Sequence, residues 1–208
     1  MKTKIIKVKG DWIEVLNDCR STVNKVLNNS EPSNQFKRSI LIAEHSPIRD
    51  ITFKWKWEAI KSWISVHWVR HKWECFVSTQ RTDRTGVDRD MLPQSTLVDF
   101  VGEANVQALI DTMRKRLCFC ASSETREYAE DLKMAITDQD PFIGYVLVPN
   151  CVYRGGCPEM NSCGLWYTLR AISPEIQLVS IYDRYEIFNN AFRRRKEIEN
   201  DSTRNTRP

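Results

Sequence analysis

The chain has 208 residues, 41% of them apolar, and its 31 Lys and Arg exceed its 27 Asp and Glu by a net charge of only +4. That is length enough for one domain with a sizeable core, and a charge balance too even to mark a polymer-binding protein by itself. No apolar run reaches the length of a membrane-spanning helix and Met1-Lys2-Thr3-Lys4-Ile5-Ile6-Lys7 has no signal-peptide core, so a cytoplasmic location away from membranes is expected, with the seven cysteines reduced.

Ile5, Ile6 and Val8 predict a short opening strand. After Asp11, a plausible cap, Trp12, Leu16, Cys19, Val23 and Val26/Leu27 recur at helical spacing and are expected in the core. Asn28 to Ser33 reads as a turn, with Ser33 capping a helix that carries Phe36, Ile40, Leu41 and Ala43 and stops before Pro47. Ile51, Phe53, Trp55 and Trp57 alternate with Thr52, Lys54, Lys56 and Glu58, the period of a half-buried strand. Ile60, Trp63, Ile64 and Trp68 then predict a helix that delivers Arg70-His71-Lys72 at its C-terminal end, where the macrodipole favours cations.

Glu74 to Thr79 fits a strand and Thr82 to Gln94 a loop. From Thr96 the pattern reads as helical, with Leu109, Ile110, Met113 and Leu117 on one face. Ser122 starts a helix with Tyr128, Leu132 and Ile136 inward, closed near Asp140-Pro141. Beyond an apolar segment from Phe142 to Val148 come Cys151, Cys157 and Cys163, a strand-like Ile176 to Tyr182, a charged helix through Arg193-Arg194-Arg195-Lys196, and a polar tail. The organisation expected is a core over residues 1–148, a cysteine-containing extension over 149–199, and a disordered tail over 200–208.

The stretch from His67 to Arg89 concentrates chemistry. Three consecutive cationic or titratable side chains precede Ser78-Thr79-Gln80-Arg81-Thr82-Asp83-Arg84, a loop of hydroxyls, an amide and arginines. Guanidinium forks hold phosphate oxygens in pairs, and hydroxyls and amides read sugar and base edges. A solvated basic loop is the plainer explanation of a charge run taken alone.

The triplet and its loop resemble the signature of flavin-dependent thymidylate synthases, an Arg-His-Arg followed by a serine and an arginine. Asn105-Val106-Gln107-Ala108-Leu109, Arg116 and Ala121-Ser122-Ser123-Glu124-Thr125-Arg126 resemble that family's second block at matching spacing. Arg89, four residues before Pro93, sits where the family places an arginine on the nucleotide phosphate. The likeness covers roughly residues 46–136, with departures: Lys72 for the last arginine, Gln80 for a glutamate, Thr82 for the serine and Asp111 for an asparagine. Arg49 and Asp50 stand where Glu and His are common, the loop from Arg70 to Arg84 is longer, and the helices usual between Arg84 and Arg89 are nearly absent.

The resemblance implies an α+β single domain with a mixed sheet flanked by helices, assembled as a homotetramer with FAD between subunits. It implies reductive methylation of dUMP to dTMP, with methylenetetrahydrofolate and NADPH as co-substrates and no enzymic cysteine nucleophile, in the cytoplasm of a bacterium or of a phage's host. Carried over position by position, it implies flavin contacts from Ser46, Arg70, His71, Lys72, Gln80, Asn105, Gln107 and Asp111. Nucleotide contacts are implied for His67, Arg70, Gln80, Arg81, Thr82, Asp83, Arg84, Arg89 and Arg116, with Arg116 catalytic.

Two rivals stand beside it: flavin-dependent modification of another pyrimidine nucleotide, and a non-catalytic nucleic-acid binder using Arg70, Lys72, Arg81, Arg84 and the Arg193–Lys196 run. No nucleic acid is expected on the first reading. Cys151, Cys157 and Cys163 lack the short cysteine spacing of ordinary zinc knuckles, so reduced structural thiols and no metal are expected.

Overall fold

The computed structural model describes residues 2–205. Four strands, β1 (Thr3–Lys9), β2 (Thr52–Lys61), β3 (Glu74–Val77) and β4 (Leu97–Asn105), form one sheet in the order β1-β2-β4-β3. Every pairing is antiparallel. The α+β expectation holds, but the sheet is not mixed: β2 and β4 lie side by side and run oppositely.

Alternation makes the sheet two-faced. Phe53, Trp55, Trp57 and Ile60 of β2 and Val98, Phe100 and Ala104 of β4 are buried beneath the helices. On the other face Lys54 pairs with Glu103 at 3.1 Å and Lys56 with Asp99 at 2.9 Å. Helices were expected from Thr96, yet β4 occupies that segment. Its inward positions include Gly102, where a Cβ would stand 2.3 Å from the Trp55 ring. The indole takes the room a side chain would use, so small residues at 102 and 104 conceal the strand's period.

Ten helices complete the described residues. Asp11 caps α1 (Trp12–Ser21) through Ile13 and Glu14 N–H groups, and Ser33 caps α2 (Asn34–Ala43). Helix α1 ends six residues short of the predicted Leu27: Asn24 is left-handed at φ 55°, and Val23, Val26 and Leu27 are exposed rather than core. Helix α3 (Ser62–Trp68) follows β2 directly, across a bulge where Ala59 adopts φ 52° and its N–H reaches Asp99 Oδ1 at 3.1 Å. A single turn, α4 (Thr82–Thr85), and a 3-10 turn at Arg89–Met91 lie in what reads as loop.

Helix α5 (Val106–Arg116) leaves β4 with Asn105 as its cap, and Ser122 caps α6 (Ser123–Gln139) as predicted. Asp140 closes α6 and caps α7 (Pro141–Val146). Then come α8 (Asn150–Arg154), α9 (Leu165–Ile172) and α10 (Ile181–Asn205). The strand expected at Ile176 to Tyr182 is instead the end of a 3-10 turn and the start of α10. The disordered tail expected from residue 200 is helical through Asn205, and 206–208 lie outside the described residues. Leu165, Trp166, Leu169, Tyr185, Phe188 and Phe192 join the same core cluster as the sheet, so the segment read as an extension is packed into the body.

Candidate functional site

The end of α3 and the end of α5 meet over the tryptophan face of the sheet. Arg116, on the last turn of α5, donates from Nε to His71 Nε2 at 2.8 Å and from its terminal nitrogen to the His67 carbonyl. His67 Nδ1 lies 2.8 Å from Thr125 Oγ1 at the start of α6. The Arg116 guanidinium stands 5.9 Å from the Trp68 ring, which stacks on Trp73 at 5.6 Å. Three segments far apart in sequence, near 67–73, 116 and 125, thus share one site.

Its electrostatics are unusual. Arg116 is partly buried and makes no ion pair among the described residues; burial, then the nearby Arg70 charge, lowers its affinity for a proton. His71 accepts from Arg116, so its Nε2 is unprotonated, and burial followed by the Arg116 charge pushes its pKa down to about 4. His67 is lowered in the same sense by burial, Arg116 and Arg70. Arg70 and Lys72 are exposed and also form no ion pair among the described residues. The cluster therefore offers cations and neutral imidazoles with no carboxylate, a donor set suited to an anionic, planar ligand.

The predicted residues divide into three groups. His67, Arg70, His71 and Arg116 come together as described, while Lys72, next to His71 in the chain, is exposed and makes no hydrogen bond or ion pair among the described residues. Gln107 and Asp111 form a second group with two residues the sequence reading missed, Glu44 and Arg114: Gln107 Nε2 donates to Glu44 Oε2 at 2.7 Å, Arg114 pairs with Glu44, and Arg114 reaches Asp111 at 3.4 Å. Tyr153, also missed, lies under the Arg114 guanidinium at 3.6 Å. No motif links these partners, which come from α2 and α8. Asn105 is occupied capping α5, accepting from Ala108 N–H at 2.9 Å. Ser46 lines an open cleft of about 450 Å³ with Phe36, His45 and Pro47.

The third group is exposed. Arg81 forks onto Asp83 at 2.9 and 2.7 Å, Arg84 lies 3.9 Å from the same carboxylate, and Thr82 Oγ1 accepts from Arg89 N–H at 3.1 Å. No hydrogen bond, ion pair or ring contact among the described residues joins this loop or Gln80 to the Arg116 cluster.

No protein-family model matches the chain, and no curated protein matches it in sequence. Solved structures do. The flavin-dependent thymidylate synthase ThyX from Helicobacter pylori, complexed with FAD and dUMP, matches with a TM-score of 0.58 over 71% of this chain and 100% of its own, at 10% identity. The chain has the flavin-dependent thymidylate synthase fold. A UMP/dUMP methylase, PolB from Streptomyces cacaoi, bound with 5-Br dUMP, shares that fold with a TM-score of 0.57 over 69% of this chain and 93% of its own, at 14% identity. At such identity the thymidylate synthase fold is what the likeness establishes, and the chemistry rests on the side chains.

One feature of those side chains calls for a ligand of opposite charge. A partly buried guanidinium with no carboxylate partner is costly, and Arg116 is such a group, offset only by neutral acceptors and by the Trp68 ring at the long distance of 5.9 Å.

Proposed function

We propose that this chain is an FAD-dependent thymidylate synthase, methylating dUMP to dTMP with methylenetetrahydrofolate as carbon donor and NADPH as reductant, in the cytoplasm. The unneutralised Arg116, presented by neutral His71 within this fold, is the observation that carries the proposal. The flavin would supply reducing equivalents.

The protein's own work is positioning and charge. Arg116 holds a fixed cation toward the pyrimidine's polar edge and favours electron density moving into the ring. His71, accepting from Arg116 Nε, fixes the plane of that guanidinium. Arg70 and Lys72 take the flavin's anionic groups, Arg70 also reaching the nucleotide. Arg81, Thr82, Asp83, Arg84 and Arg89, with Gln80, form the phosphate-binding loop.

Helix geometry favours an assembly. Successive residues turn 100° about a helix axis, so Arg116, nine positions after Gln107, faces roughly the opposite side of α5. The two groups assigned to flavin face different sides of α5, and a homotetramer would let the Gln107–Asp111 face of one subunit meet the Arg116 face of another.

The nucleic-acid reading is disfavoured by the C-terminal cations. Arg195 and Lys196 close on the buried Glu130 at 2.7 and 2.5 Å, which Arg126 also approaches at 3.4 Å. These two are held against the body, which leaves only Arg193 and Arg194 of the run exposed, a short stretch rather than a stripe for a polymer.

The absorbance spectrum of the purified full chain tests the proposal. Expected are a yellow protein eluting as a tetramer, and a flavin spectrum shifted by dUMP; UMP is assayed beside it, because one fold neighbour is a UMP/dUMP methylase. A colourless protein that ignores both nucleotides and binds polynucleotide at physiological salt would overturn it.

A further inference from the structure

Three thiols that lie far from the assigned chemistry in role, though not in sequence, converge at the end of α5. Cys118 and Cys120 follow Arg116, and Cys163 immediately precedes the Gly164 that starts α9. Their sulfurs all lie within 4.8 Å of one another, the Cys118–Cys163 pair at 3.9 Å. Cys151 and Cys157, grouped with Cys163 by sequence spacing, are not in this triad.

From this geometry we propose that Cys118, Cys120 and Cys163 bind one zinc ion that fastens the end of α5 to the loop ahead of α9. With Zn–S at about 2.3 Å and tetrahedral angles, the sulfurs of a zinc site stand about 3.8 Å apart. The Cys118–Cys163 separation already has that value, and Cys120 needs to close by no more than about 1 Å.

A disulfide needs far more movement, because its sulfurs sit about 2.05 Å apart, and it leaves the third thiol unused. The backbone around the triad is also arranged for metal thiolates. Cys118 to Ala121 is a tight turn closed by Ala121 N–H on the Cys118 carbonyl at 3.0 Å. Gly164, at φ 84°, makes the sharp turn after Cys163 without a Cβ. Cys120 is exposed, with its sulfur 3.7 Å from the Asn161 carbonyl, so solvent can reach the cluster and supply a fourth ligand.

Three soft sulfur ligands select zinc over magnesium or calcium, and binding as thiolates releases their protons to solvent. The role is structural. Zinc would set the position of the residues just past Arg116 without touching substrate.

Cobalt(II) added anaerobically to the reduced, chelator-stripped full chain tests this without reference to flavin or turnover, so its result is separate from that of the proposed activity. Expected are sulfur-to-cobalt charge-transfer bands with the visible bands of a tetrahedral ion, saturating at one cobalt per chain and erased by one equivalent of zinc. Cys120→Ser and Cys163→Ser, checked for folding by circular dichroism, should each weaken cobalt binding about 100-fold, whereas Cys75→Ser should not. In the wild-type protein, zinc should shield Cys118, Cys120 and Cys163 from alkylation and leave Cys75 reactive. The proposal falls if no tetrahedral spectrum develops, if the spectrum survives Cys163→Ser, or if zinc shields none of the three thiols. A Cys118–Cys163 disulfide formed in air, in a protein that when reduced takes no metal, would assign the cluster to redox chemistry instead.

Discussion

Arg114 and Arg116 sit two positions apart on one helix and live in opposite electrostatic worlds. Arg114 is enclosed by structure: the Glu44 carboxylate pairs with it, Asp111 lies 3.4 Å away, and Tyr153 covers its face at 3.6 Å. Arg116 is held only by neutral partners, an imidazole nitrogen and a carbonyl. A charge whose compensation is internal stabilises the fold. One whose compensation is left out is available to a ligand, and this contrast is the ground on which Arg116 rather than Arg114 is proposed as the functional cation of Arg114-Lys115-Arg116.

The largest expected effect breaks the comparison on its functional side. Arg116→Ala should lower turnover by about 10²–10³-fold, the range seen when a preorganised charge-stabilising donor is removed, while flavin content and thermal unfolding stay close to wild type. Steady-state kinetics beside a melting curve read both; unchanged turnover removes Arg116 from the site.

Arg114→Ala should do the reverse. It leaves the mostly buried Glu44 unpaired, which costs on the order of 2–3 kcal/mol for a pair that retains some solvent access. Urea denaturation should show the midpoint falling. If stability holds and only turnover drops, the assignment of the two arginines is inverted.

A smaller effect sharpens the comparison through His71. Its folded pKa of about 4 lies below the ordinary 6.5 because burial and the Arg116 charge disfavour the imidazolium. The unfolded chain therefore binds the extra proton between those values. The stability it contributes is complete above about pH 6.5 and is lost as pH falls toward about 4. His71→Gln, which keeps an acceptor for Arg116, should flatten that part of the stability–pH profile; identical profiles would show that His71 stays neutral for no energetic reason.

The triplet, Arg116 and the Ser122-to-Arg126 block were legible in sequence because each is a local pattern at fixed spacing, and the structure gathers His67, His71, Arg116 and Thr125 as three such patterns allow. What was hidden depends on packing between distant segments. The sequence of β4 reads as helix because Gly102 gives way to the Trp55 indole and Ala104 is small opposite Phe53, leaving few large apolar side chains to mark alternation. Glu44 and Tyr153 carry no motif and matter only because α2 and α8 close on α5. Cys163 was grouped with Cys151 and Cys157 by even spacing, yet its nearest sulfur belongs to a residue 45 positions earlier. The exposed Val23, Val26 and Leu27 show the opposite error, since helical spacing continued after the backbone had turned away at Asn24.

The tryptophans of the sheet face have a consequence of another kind. Trp55, Trp57, Trp68 and Trp73 form a closed cycle of ring contacts, with successive centroids 5.8, 4.9, 5.6 and 5.1 Å apart, and Trp68 is the member that lies 5.9 Å from the Arg116 guanidinium. Indoles this close share their electronic excitation, so the molecule should carry an exciton-split near-ultraviolet circular dichroism signal of its own. Excitation of any one of the four rings is then shared with Trp68, the ring nearest the guanidinium. A chromophore bound beside Trp68 should therefore quench the emission of all four rings together, so that tryptophan fluorescence would report on occupancy next to one arginine.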